Sequence, residues 1–177
     1  LFFNNFQLGA LKQGNVIDVS GVVADIRHTE PQQLITGLIS NFSDYRQKLE
    51  EVIGASIGVS LDSVKVLPPL PKPTNIDCMA VNYMEDGTRE EPAEINAFQK
   101  SPFSIIGPGD TMILPDAPAT VFEGEAELAV VIGKRATNVS AANAFDYIFG
   151  YTNFIDGSAR GLSGANVFHA MKSRDTF

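Results

Sequence analysis

The segment Phe122-Glu123-Gly124-Glu125-Ala126-Glu127-Leu128-Ala129-Val130-Val131-Ile132-Gly133 places three carboxylates at alternate positions, directly before five apolar residues. Side chains in a strand alternate faces, so Glu123, Glu125 and Glu127 project the same way. The unbroken run Leu128–Ile132 has the character of a strand covered on both faces. Carboxylates roughly 6–7 Å apart beside such a run repel by kcal/mol rather than by tenths. Positive charge must offset that repulsion, from Lys or Arg neighbours or from a metal ion. Hard divalent cations take oxygen ligands, and carboxylates at i and i+2 of one strand can reach one ion. Asp156, near the end of another apolar segment and followed by Gly157-Ser158, offers a third oxygen donor. An exposed edge strand whose acids prevent aggregation has the same spacing. Spacing alone leaves both readings open.

Composition narrows the function classes. The chain has 177 residues, 44% of them hydrophobic, enough to bury a core in one domain or one domain with a small appendage. Lys plus Arg number 13 against 21 Asp plus Glu, a net charge of -8. A chain this acidic lacks the electrostatic footprint of a nucleic-acid binder or of a protein that lies on an anionic membrane. Cys78 is the only cysteine, which excludes an internal disulfide framework and a thiolate zinc cluster and points to a reducing cytoplasm. No apolar run approaches the roughly 20 residues of a membrane span, and no segment resembles a signal peptide.

The elements that must position the carboxylates follow from local signals. Gly14-Asn15 marks a turn between two β-rich stretches, Phe6–Leu11 and Val16–Val23. Thr29-Glu30-Pro31 opens a helix in which Leu34, Ile35, Leu38, Ile39 and Phe42 recur at helical spacing. Ser43-Asp44 then caps a second helix that buries Leu49, Val52 and Ile53 and stops at Gly54. Residues 1–64 carry no chemical pattern and are expected to form a small α/β packing domain. The proline run Leu67-Pro68-Pro69-Leu70-Pro71-Lys72-Pro73 excludes helix and central strand, so residues 65–74 are expected to be an extended linker. Beyond it the pattern is mainly β. Ile76–Val81, where Cys78 has the place of a small buried side chain, reads as a buried strand. Residues 84–97 read as a polar loop or lid. Ile106-Gly107-Pro108-Gly109-Asp110 reads as a turn into a strand Thr111–Leu114. Ser140 is expected to cap a short helix through Tyr147, and a last strand to run from Tyr151 to Asp156.

Several of these residues also form a recognisable series. Glu125-Ala126-Glu127-Leu128-Ala129-Val130-Val131-Ile132-Gly133-Lys134 resembles the E-x-E-L-A-V-V-I-G strand of the fumarylacetoacetate hydrolase family. The likeness continues through Asn138-Val139-Ser140 and Gly150-Tyr151-Thr152-Asn153-Phe154-Ile155-Asp156-Gly157-Ser158-Ala159-Arg160, and resumes at Lys172-Ser173-Arg174-Asp175-Thr176-Phe177. Upstream, Asn82-Tyr83, Phe98-Gln99-Lys100-Ser101-Pro102 and Ile106–Asp110 fit the same pattern, so about residues 66–177 are covered. The resemblance implies an α+β, mainly β architecture: a mixed β-roll over residues 75–177, behind the small domain. It implies Mg²⁺, Mn²⁺ or Ca²⁺ on Glu125, Glu127 and Asp156, catalytic lysines at Lys172 and Lys100, and substrate contacts from Asn82 and Tyr83. It also implies a small dicarbonyl or 2-oxo acid as substrate, a homodimer, and a roll that continues past Phe177, so that the chain is expected to be part of a longer one. Outside the resemblance, Lys172 reads as a solvated surface lysine and Lys100 as a member of a structural ion pair.

One departure bears on the reaction. Hydrolytic members of the family activate water with a histidine near the lid, and Asp86 stands where several have it. The chain's two histidines lie elsewhere: His28 in the small domain, where an exposed or capping role fits, and His169 three residues before Lys172. Glu85, Asp86, Glu90 or Glu91 can substitute as a base if burial raises its pKa, and a solvated acidic loop is the alternative for each. Three functions are therefore carried forward. The first is metal-dependent hydrolysis of an acylpyruvate-like C–C bond. The second is decarboxylation, isomerisation or hydration of a small oxo acid. The third is a catalytically silent binding protein.

Overall fold

A computed structural model describes residues 1–81, 90–91, 93–164 and 167–177, the side chains at 167 and 168 excepted. The chain forms two compact units. One comprises Leu1–Pro71, Ile106–Asp110 and Leu128–Asn153; the other comprises Lys72–Ile105, Thr111–Glu127 and Phe154–Phe177.

The first unit is built on a hairpin of β2 (Gln7–Lys12) and β3 (Asn15–Asp18), paired antiparallel from Gly9↔Asp18 to Lys12↔Asn15. Its two-residue turn is Gln13-Gly14, not Gly14-Asn15. Both residues have positive φ, 51° and 80°, as a type I′ turn requires, and Gly14 takes the left-handed conformation at no steric cost. Strand β3 also stops earlier than Val23. Asp18 Oδ1 accepts the Ser20 amide at 2.8 Å, a local turn that competes with the ladder and starts a 3₁₀ turn over Ser20–Val23. Strand β1 (Phe2–Phe3) lies between β2 and β5 (Val66–Leu67), and β4 (Val59–Ser60) closes the other edge, giving the order β4-β3-β2-β1-β5.

Helices α1 (Pro31–Ser40) and α2 (Phe42–Ala55) bury Leu34, Leu38 and Leu49 in a core with Phe2, Leu8, Ile17, Val19, Val23 and Leu67. Pro31 occupies the first turn of α1, where its missing amide leaves no helical bond unmade. The expected Ser43-Asp44 cap of α2 is not formed. The helix starts at Phe42 after Asn41, without a side-chain cap bond, and continues past Gly54 to Ala55. Its free C-terminal carbonyls are met by Lys12, whose Nζ donates to Ile53 O at 2.7 Å and Gly54 O at 3.1 Å.

Residues 68–75 hold neither helix nor strand, as the prolines dictate. The Gly107–Asp110 turn forms, with Asp110 Oδ2 accepting the Gly107 amide and Lys65 paired to the same carboxylate. The strand expected at Thr111–Leu114 is irregular backbone instead, since Pro115 and Pro118 close by deny it a ladder. Strands β8 (Val121–Ile132) and β9 (Ile148–Arg160) pair with each other, joined through the expected short helix after Ser140, a 3₁₀ helix over Ala141–Tyr147 without a side-chain cap bond. The expectation that Leu128–Ile132 is covered on both faces fails. Leu128, Val130 and Ile132 are 61%, 46% and 58% exposed, because only alternate residues of the strand find cover.

In the second unit, β6 (Ile76–Ala80) pairs antiparallel with β7 (Asn96–Lys100), from Ile76↔Lys100 to Ala80↔Asn96. Of β6 only Cys78 is fully buried, so this is a half-covered strand rather than a buried one. A short helix, α3 (Val167–Lys172), packs against β7. Phe2, on β1 between β2 and β5, is wholly buried in the first unit's core. Phe2→Ala is therefore expected to destabilise the protein by about 3–5 kcal/mol in chemical denaturation, and a loss under about 1 kcal/mol would contradict this core.

Candidate functional site

The second unit gathers the sequence-flagged carboxylates. Glu125 and Glu127 project from β8 and Asp156 from β9, and each offers one carboxylate oxygen within 4.8 Å of the others. Asp156 is 1% exposed and cannot stay charged there without partners. Lys100, at the end of β7, donates to its Oδ1 at 2.7 Å, and Lys172, at the end of α3, donates to its Oδ2 at 2.7 Å. Lys172 Nζ also donates to Glu125 Oε1 at 2.5 Å.

The lysines differ in how far they are committed. Lys100 Nζ donates to Asp156, to Gly157 O at 2.9 Å and to Lys172 O at 2.6 Å, so all three of its protons are used inside the protein. Two of the three protons of Lys172 are used among the described residues. Phe177 seals the bottom of the cluster: it is 2% exposed, and Lys100 Nζ lies 5.8 Å from its ring centroid. Gly157 makes this closure possible, since a Cβ there would come within 2.6 Å of Phe177 Cβ.

Residues 76–177 match the sequence model described as "Fumarylacetoacetate (FAA) hydrolase C-terminal", more than half of the chain. The chain belongs to the fumarylacetoacetate hydrolase family. It is 37% identical over 141 residues to the oxaloacetate tautomerase YisK of Bacillus subtilis, a match that covers 76% of this chain and 46% of that protein. It is 34% identical over 159 residues to a fumarylacetoacetate hydrolase domain-containing protein 2 homolog of Dictyostelium discoideum, covering 87% of this chain and 50% of the relative. The chain thus spans about half the length of the curated relatives it matches. Among solved structures it superposes on maleylpyruvate hydrolase from Sphingobium sp. SYK-6, in complex with manganese(II) and pyruvate. The TM-score is 0.83 at 28% identity, over 99% of this chain and 62% of that one. The fold is that of the family, mostly β with a few helices.

Within this family framework, charge sorts the three carboxylates. For Glu125, burial pushes the carboxyl up, but the Lys172 and Ser158 hydrogen bonds and the charges of Lys172 and Arg160 outweigh it, leaving its pKa below the ordinary value. For Glu127, burial first, then Asp156 and Glu125, hold the pKa above the ordinary value against the pull of Lys172 and Lys100. Among the described residues nothing donates a hydrogen bond to Glu127. The cluster Glu123, Glu125, Glu127 and Asp156 sets, among the described residues, four negative charges against three positive ones, Lys100, Lys172 and Arg160. Among the described residues Glu127 is the carboxylate without a cation of its own. Burial, followed by Asp156 and Glu127, likewise pushes the Cys78 thiol up to about 11, so it stays protonated at neutral pH.

Two members of the cluster were missed as functional residues. Ser158 Oγ donates to Glu125 Oε1 at 2.8 Å, and Arg160 binds Glu123 Oε2 at 2.7 Å with Nε and Glu125 Oε1 with Nη2. The signal was present: the acidic strand demanded positive neighbours, and Arg160 ends the strand that carries Asp156. His28 is exposed, its Nδ1 2.7 Å from Ile26 O, and His169 is exposed on α3. Glu90 and Glu91 are exposed as well, which matches a solvated acidic segment. Asn82, Tyr83, Glu85 and Asp86 lie outside the described residues.

The raised pKa of Glu127 has a definite sign. An acid whose folded pKa exceeds its unfolded one adds stability below the unfolded value and loses it as pH rises through the folded value. At neutral pH Glu127 is therefore a destabilising charge, and Glu127→Gln is expected to raise the thermal midpoint of the EDTA-treated protein. That gain is expected to shrink as pH falls into the ordinary carboxylate range. A lower midpoint for Glu127→Gln at neutral pH would contradict the assignment.

Proposed function

We propose that this chain carries the divalent-metal and ammonium groups of an enzyme that stabilises the enolate of a small 2-oxo acid, interconverting its keto and enol forms. The observation behind this reading is the set of three converging carboxylates, one of them without a cation among the described residues, with a partly committed lysine ammonium beside the other two. Glu125, Glu127 and Asp156 would hold the ion, and an all-oxygen donor set suits Mg²⁺, Mn²⁺ or Ca²⁺. The likeness to a hydrolase structure that contains manganese(II) and pyruvate supports both the metal and the substrate class. When bound, such an ion supplies Lewis-acid stabilisation of a developing enolate oxygen.

The chain's own groups do the rest. Lys172 places fixed positive charge where negative charge develops and keeps a proton for a substrate oxygen. Lys100 has none left, so its role in this proposal is to hold Asp156 and the end of α3 in place. Asn82 and Tyr83 remain proposed substrate contacts.

Keto–enol interconversion is favoured over hydrolysis because it needs no activated water. Both histidines of this chain are exposed, and neither bonds to the cluster among the described residues. A relative 37% identical to the chain is an oxaloacetate tautomerase. C–C bond hydrolysis is the second reading, and the maleylpyruvate hydrolase likeness favours it. Assays of oxaloacetate and of an acylpyruvate with Mg²⁺ or Mn²⁺ separate the two. The expected result is metal-dependent enol-to-keto conversion of oxaloacetate without acylpyruvate cleavage; metal-dependent release of pyruvate from the acylpyruvate alone would overturn it. Glu125→Gln and Glu127→Gln are each expected to abolish Mn²⁺ binding in calorimetry, and wild-type affinity in both would refute the metal assignment.

A further inference from the structure

We propose that Glu123 is a positioning residue for this centre: by holding Arg160 it keeps the guanidinium from taking Glu125 away from a divalent cation. The inference rests on the metal reading above and extends it to two residues with no assigned role. Glu125 Oε1 receives Ser158 Oγ, Lys172 Nζ and Arg160 Nη2, whereas no described group donates to its Oε2. The first oxygen is saturated by these donors; the second is the one left for an ion.

Arg160 is the donor that could take both. Its guanidinium is a planar fork suited to bidentate carboxylate pairing. What prevents that pairing is geometry shared with Glu123. Nε is committed to Glu123 Oε2 at 2.7 Å, so the side-on Nε/Nη2 fork is closed to Glu125, which receives Nη2 alone. The backbone beneath is pinned as well, because Thr120 donates its amide and its hydroxyl to Arg160 O at 2.8 and 3.2 Å. Gly161 follows at φ +78°, and a Cβ there would meet the Thr120 side chain at 2.4 Å. With the main chain fixed, the direction of the guanidinium depends on Glu123. Removing that carboxylate does two things. It frees Arg160 to swing fully onto Glu125, and it removes the excess negative charge, four carboxylates against three cations among the described residues, that favours a cation there.

Partners that orient a ligand typically change metal affinity by about 10–100-fold when removed. Mn²⁺ titration calorimetry on the full chain tests the idea, with thermal unfolding confirming that each variant is folded. Glu123→Gln is expected to bind Mn²⁺ about 10-fold or more weakly than wild type at unchanged stoichiometry. Glu123→Asp is expected to recover most of that loss. Adding Arg160→Gln to Glu123→Gln is expected to restore affinity toward that of Arg160→Gln alone, which a merely structural role of Glu123 would not produce. Wild-type affinity in Glu123→Gln, or a double variant no better than Glu123→Gln, would overturn the proposal while leaving the metal site intact. Absence of Mn²⁺ binding by the wild type would overturn both.

Discussion

A buried negative charge at Asp156 is the constraint on which the second unit depends. The residue is 1% exposed, and an unpaired carboxylate in that setting costs several kcal/mol. Each of its oxygens takes one ammonium, from Lys100 at the end of β7 and Lys172 at the end of α3. Three elements far apart in sequence thereby converge on one side chain. Lys100 can be buried in turn only because all its protons find acceptors, one of them the carbonyl of Lys172. A cation at that carbonyl also suits the negative end of the helix.

The same arrangement that satisfies Asp156 leaves the neighbouring strand unbalanced. Glu123 and Glu125 share Arg160, Glu125 also shares Lys172, and Glu127 has no donor among the described residues. A structural ion network would be expected to close on itself. Among the described residues this one stops one cation short, at a position where two other carboxylate oxygens already lie within 4.8 Å. Glu125 and Glu127 are accordingly pushed in opposite directions, Glu125 below its ordinary pKa by Lys172, Ser158 and Arg160, and Glu127 above it by burial and by Asp156 and Glu125.

Much of this was legible in the sequence, for physical reasons. Period-two spacing placed Glu123, Glu125 and Glu127 on one side of β8, and Arg160 does reach both Glu123 and Glu125. Electrostatics required positive charge near them, but posed lysine or arginine and a metal as alternatives. The structure supplies both lysines and an arginine and, among the described residues, still leaves Glu127 without a cation. Local signals failed where tertiary contacts decide. Strand β9 continues through Gly157 and Ser158 to Arg160, against their weak strand propensity, with Phe177 closing over Gly157. Helix α3, six residues long and without a capping signal, left no periodic trace. The apolar run Leu128–Ile132 looked buried because hydrophobicity reports what a side chain can do, not whether anything covers it.

The central claim is that Glu125, Glu127 and Asp156 form one cation site facing the ammonium of Lys172. A crystal structure with Mn²⁺ and a pyruvate-like 2-oxo acid, read by anomalous scattering at the manganese edge, tests it most directly. The account expects one strong anomalous peak within coordination distance of an oxygen from each of the three carboxylates, with Lys172 turned to an oxygen of the acid. A peak elsewhere, or none beside Glu127 at saturating Mn²⁺, would contradict it.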